Sequence, residues 1–104
     1  MVRGAKVKFR VTLLNAAGLP LEETVVDNME LELYTTTNRD LTAGTYTLGT
    51  GITKESVGVY LIEIPETDTV KLECSGIALL EGWLLPVRKK VVFELGAVTD
   101  NIKN

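Results

Sequence analysis

A chain of 104 residues, 45% hydrophobic and 24% charged, carries enough apolar side chain for one core and too little for two. Its net charge of −3 gives no basic field to gather nucleic acid or an anionic membrane surface, so neither partner is expected. Without histidine, and with Cys74 as its one cysteine, it lacks the usual neutral-pH general base, any intrachain disulfide and any thiolate cluster of its own. No catalytic, cofactor-binding or metal-ligating residue is therefore assigned, and an enzyme is not expected.

The first element is read from strict alternation in Lys6–Leu13, which puts Val7, Phe9, Val11 and Leu13 on one face of a half-buried strand. Asn15–Pro20 supplies turn residues. In the second strand Met29, Leu31 and Leu33 alternate with Asn28, Glu30, Glu32 and Tyr34, and Thr35-Thr36-Thr37 extends it. Antiparallel pairing of these two strands would set Lys6, Lys8 and Arg10 against Glu30 and Glu32, each pair contributing ~0.2 to 1 kcal/mol.

Asn38-Arg39-Asp40 opens a loop, and Thr45–Leu48 reads as a short strand. Gly49-Thr50-Gly51 lacks the Lys-Ser/Thr and the following helix of a phosphate cradle. Gly58–Pro65 is a clear strand with Tyr60, Ile62 and Ile64 on one face, ended by the missing donor of Pro65. Val70–Cys74 also alternates, which makes Cys74 a small core hydrophobe in phase with Val70 and Leu72. After a turn at Ser75-Gly76 come strands at Ile77–Leu80 and Val87–Leu95, joined by a connection over Glu81–Pro86.

No segment of ten residues carries a helical apolar stripe, so the expected fold is all-β, an antiparallel sandwich of about seven strands with little or no helix. Residues 1–98 form the domain and 99–104 a polar tail; a five- or six-stranded barrel is the alternative.

Three constellations invite a functional reading. Glu22, Glu23, Asp27, Asn28 and Glu30 could offer oxygens to calcium, but EF-hand spacing is missing and solvated loop acids explain them. Glu63, Glu66 and Asp68 could pair as glycosidase carboxylates, yet no aromatic platform accompanies them. Trp83, Leu84 and Leu85, followed by Arg88, Lys89 and Lys90, are the interface candidates: an apolar segment beside a basic one that suits an acidic partner.

The stretch Val11–Leu21 resembles the "strand, small-residue turn, Gly, x, Pro" opening of immunoglobulin-like modules in tailed-phage virions and bacterial surface proteins. Gly58–Pro65 is similar to their "Gly, x, Tyr, alternating apolar, Pro" late strand, although the cysteine pair and intervening Trp of antibody domains are missing. The resemblance implies an Ig-like β-sandwich acting as a structural or assembly module, without cofactors, docking in many copies to other structural proteins of a larger object. The absence of a leader-like apolar region, together with that likeness, points to a virion component assembled in a host cytoplasm. The alternative is an extracellular carbohydrate- or receptor-binding module, for which Tyr34, Tyr46, Tyr60 and Trp83 are the available platform.

Overall fold

The computed structural model describes residues 1–22, 25–36 and 39–100. In chain order its elements are β1 (Val7–Thr12), β2 (Val26–Thr35), β3 (Gly44–Leu48), β4 (Gly51–Ser56), β5 (Val59–Ile64), the single-turn helix α1 (Glu66–Thr69), β6 (Ile77–Pro86) and β7 (Lys89–Ala97). The all-β expectation holds. The expected antiparallel sandwich differs from the structure in two respects: a single hydrogen-bonded order, β1-β5-β4-β3-β2-β6-β7, runs through all seven strands, and the β3–β4 pair is parallel.

The parallel pair comes from a local jog. β3 and β4 are separated by Gly49 and Thr50, Gly49 and Gly51 both adopt positive φ (90° and 85°), and Gly49 N–H reaches back to Ile52 O at 2.8 Å. These backbone conformations cost glycine little. The chain steps sideways into a new position in the sheet without reversing, so β4 can go on to form an antiparallel pair with β5.

The sheet curls into a half-barrel around its inward faces. Met29, Leu31 and Leu33 of β2, Ile52 of β4, Tyr60, Ile62 and Ile64 of β5, and Ala78, Leu80 and Leu84 of β6 are all buried in one core. Burying each of the larger side chains contributes about 1.5 to 3 kcal/mol. The polar tips inside are satisfied: Tyr60 Oη donates to Val26 O at 3.2 Å, and Tyr46 Oη donates to Asp68 Oδ2 at 2.6 Å. Buried Thr69 donates to Ala5 O at 2.9 Å, tying α1 to the segment that enters β1.

Several expectations are corrected. β1 pairs with β5, not β2, so Lys6 meets Glu63 at 3.2 Å and Arg10 forks onto Glu55, while Glu30 and Glu32 lie elsewhere in the sheet. Arg10 holds the Glu55 carboxyl below its usual range, chiefly by that hydrogen bond, and Glu55 raises Arg10 in return. Val70–Cys74 is not a strand: Pro65 caps α1, turns follow, and only Leu72 of this stretch reaches the core, Val70 standing 55% exposed. Glu81–Pro86 is not a connecting loop but the second half of β6, paired with β2 on one side and largely with β7 on the other. Glu23, Thr24, Thr37, Asn38 and residues 101–104, including most of the expected tail and part of the calcium reading, lie outside the described residues.

Candidate docking surface

The two ends of the sheet order are free edges that face each other. Among the described residues β1 pairs only with β5 and β7 only with β6, yet the rings of Phe9 and Phe93 meet edge to face with centroids 6.5 Å apart. Following the pair directions around the sheet, β1 and β7 run in opposite senses. Between them runs a groove of about 630 Å³ whose apolar walls are Val7, Phe9, Val11, Val92, Phe93 and Leu95. A second hollow of about 470 Å³ is lined by Leu13, Leu14, Leu21, Val25, Val87 and Val91, among others.

One end of this seam is pinned by contacts of Met1 and Arg3 with residues 97–100. The Met1 ammonium donates to Ala97 O at 2.7 Å, Arg3 N–H to Thr99 O at 2.8 Å and Thr99 N–H to Met1 O at 3.0 Å, and Arg3 pairs with Asp100 at 2.8 Å. At the other end stand the Asn15–Leu19 turn and the Val87-Arg88 turn, with Asn15, Ala16 and Val87 in the lining of the second hollow. The inward residues of both edges, Val7, Phe9, Val11, Val91, Phe93 and Leu95, pack on the core while staying only partly buried, because no strand covers the seam. Val92 on the outside of β7 is 51% exposed, as is Val87 just before the strand.

A second surface lies on the outer face of β2 and β6. Glu30 stands opposite Trp83 and Glu32 directly opposite Glu81, so two like charges share a cross-strand site that disfavours both. Their partners resolve this: Arg39 Nη1 donates to both Glu81 oxygens at 2.6 Å, and Tyr34 Oη donates to Glu32. That hydrogen bond is the first cause of a Tyr34 pKa above the usual tyrosine value. Arg39→Ala should therefore cost about 1 kcal/mol at low salt and less at high salt, with Glu81→Gln in the same chain recovering most of the loss. Urea unfolding at two ionic strengths reads this; a cost that salt leaves unchanged would assign Arg39 to packing instead.

The interface candidates separate onto different faces. Trp83 projects outward at 40% exposure with Arg88 over its ring at 5.6 Å, whereas Leu84, in the next position of the same strand, turns into the core. Leu85 is half-buried, and Lys89 and Lys90 are exposed where β7 begins: Lys89 lines the second hollow with Leu84 and Val91, whereas Lys90, opposite Trp83, lies on the outer face with Glu30, Glu32 and Glu81. Arg88 takes a positive φ of 58° in the tight turn before β7. The seam itself is not legible in the sequence, although alternation assigns each of its inward residues to a strand face.

Two acids of the carboxylate constellation have structural partners. Glu63 pairs with Lys6, and Asp68 accepts from Tyr46, with Lys71 3.8 Å away. Cys74 is half-buried, and its thiol is held above the usual cysteine pKa, first by a hydrogen bond with Asp100, then by burial and the charge of that carboxylate. This favours the protonated, less nucleophilic form. Among the described residues no group of three or more His, Cys, Asp or Glu is placed to hold a metal ion, and no helix is long and apolar enough to cross a membrane. Against known proteins, no family model matches the chain, and no curated protein or solved structure matches it.

Proposed function

We propose that this chain is a non-enzymatic structural module that docks, in many copies, to other proteins of a larger assembly. The observation that carries the reading is the half-barrel that stops short of closing, leaving two free strand edges and an apolar groove between them. Exposed, contiguous apolar surface of this kind is what protein contacts cover. The motifs at Val11–Leu21 and Gly58–Pro65, which resemble Ig-like modules of virion proteins, supply the kind of assembly, a tailed-phage particle built in a host cytoplasm.

A second reading, a carbohydrate- or receptor-binding module, draws on Trp83 and Tyr34, which line one outer hollow of about 210 Å³ with Glu30, Glu32 and Glu81. The other two platform candidates, Tyr46 and Tyr60, are core residues at 3% and 0% exposure. Arg88 already occupies the Trp83 ring and Glu32 the Tyr34 hydroxyl, which leaves the docking reading ahead.

Light scattering of the purified protein over a range of concentrations, alone and mixed with the purified products of its neighbouring genes, tests the proposal. A defined oligomer or a co-complex of fixed stoichiometry is the expected result. A monomer at every concentration that ignores those neighbours would overturn it and shift attention to the Trp83 face.

A further inference from the structure

We propose that the β1–β7 seam is a receptor for one extended strand from a partner protein, in which apolar residues alternate with Asp or Glu. The inference rests on the docking reading above and names the partner's chemistry.

The first support is the backbone. Leu13 N–H donates to Gly58 O at 2.7 Å, on the β5 side of its strand. Alternation along β1 puts the peptide groups of Val7, Phe9 and Val11 on that same side, and those of Lys8, Arg10 and Thr12 on the seam. Among the described residues these donors and acceptors have no strand partner, and they lie beside an apolar groove, the two features that recognition by strand addition uses: main-chain hydrogen bonds for affinity and alternate side-chain sites for specificity. A strand laid there would turn every second side chain inward onto Phe9 and Phe93, and the others outward.

The second support is charge. The chain as a whole is acidic, with 11 Lys and Arg against 14 Asp and Glu. Yet residues 6–12 and 88–97 hold Lys6, Lys8, Arg10, Arg88, Lys89 and Lys90, with Glu94 their one acid. Glu63 and Glu55 answer Lys6 and Arg10 from β5 and the end of β4, Arg88 lies over the Trp83 ring and Lys90 shares the outer hollow with Glu30, Glu32 and Glu81, so Lys8 and Lys89 carry the positive rim at the seam. A positively rimmed edge also has a protective role, since two copies brought together through β1 would oppose Lys8 and Arg10 with their equals. The same rim that repels a second copy admits a strand whose outward positions are acidic, so attraction and rejection act on one set of residues. The Met1–Thr99 contacts close one end of the seam, so such a strand enters from the end where the Asn15–Leu19 and Val87-Arg88 turns stand.

The test uses the whole protein and three capped nine-residue peptides: alternating valine and glutamate, alternating valine and lysine, and the glutamate peptide with a central proline. Amide exchange and chemical shifts are followed by NMR. The glutamate peptide should bind about tenfold more tightly than the lysine peptide, the proline peptide should fail, and the amides of Lys8, Arg10 and Thr12 should gain protection on binding. Lys8→Glu with Lys89→Glu should invert the preference between the charged peptides, a result that damaged folding would not produce.

Three results would overturn the proposal. One is equal binding of all peptides without protection of those amides. Another is protection already present in the isolated chain, which would mean that β1 and β7 close on each other. The third is filling of the groove by decanoate with no strand binding, which would make the seam an acyl-chain site. A co-complex with a neighbouring gene product that leaves the seam amides exchanging freely would also defeat strand addition while sustaining the docking module, so the two readings fail separately.

Discussion

Replacing Gly82 with alanine should destabilise the fold by about 3 kcal/mol or more, beyond the ordinary cost of overpacking a core position. Gly82 sits in the middle of β6, opposite Leu31 of β2 and Val91 of β7. A Cβ built there falls 1.7 Å from Glu30 O, 2.7 Å from Glu30 C and 2.9 Å from Leu31 Cα. All three are backbone atoms, so no side chain can rotate away, and relief requires β2 and β6 to part where they bury Leu31, Leu33, Leu80 and Leu84. Gly18→Ala is the control: its Cβ meets nothing within 4 Å, and its positive φ of 79° should cost only about 1 to 2 kcal/mol. Urea denaturation followed by circular dichroism ranks the two. A Gly82→Ala protein within 1 kcal/mol of the parent, by the same scale of effects, would show that the strands can separate locally at little cost.

The same glycine explains part of what the sequence hid. Read locally, Gly82 and Pro86 punctuate the chain and turn Glu81–Pro86 into a loop; in the sheet, Gly82 marks a close approach between strands, which is a non-local demand. Alternation was a faithful guide wherever one face packs on the core, as at Val7–Thr12, Met29–Leu33, Val59–Ile64 and Val91–Leu95. It misled at Val70–Cys74, where a period of two arises by chance after Pro65 has already turned the chain into α1, and where Leu72 alone is buried deeply.

Pairing was the least legible property. Lys6, Lys8 and Arg10 complement the acids of β2 as well as those facing them from the β4–β5 hairpin, so charge alone could not select between adjacent and distant partners. The candidate docking surface was hidden for the same reason. A seam belongs to neither β1 nor β7, and it exists only because the seven-strand order brings the ends of the sheet within reach of each other.

Above about pH 10 the parent protein should lose stability more steeply than Tyr46→Phe. Burial first, then the hydrogen bond to Asp68 and its charge, push the Tyr46 hydroxyl well above the usual tyrosine range. The folded state therefore keeps a proton that the unfolded chain gives up near pH ~10. Stability linked to this group is fully present below that pH and falls as pH rises through the window up to the folded value, by at most about 1.4 kcal/mol per unit. Lysine titration and the raised Tyr34 affect both proteins alike, so the difference between their slopes isolates Tyr46. At neutral pH the variant should be the weaker by about 1 to 2 kcal/mol, because Asp68 loses its donor, and the two curves should converge in alkali. Parallel slopes in urea titrations at successive pH values would refute the assignment. Structure adds a local signature: Tyr46 holds α1 through Asp68, and α1 holds Ala5 through Thr69, so Tyr46→Phe should speed amide exchange first in the segment entering β1, at the edge of the seam.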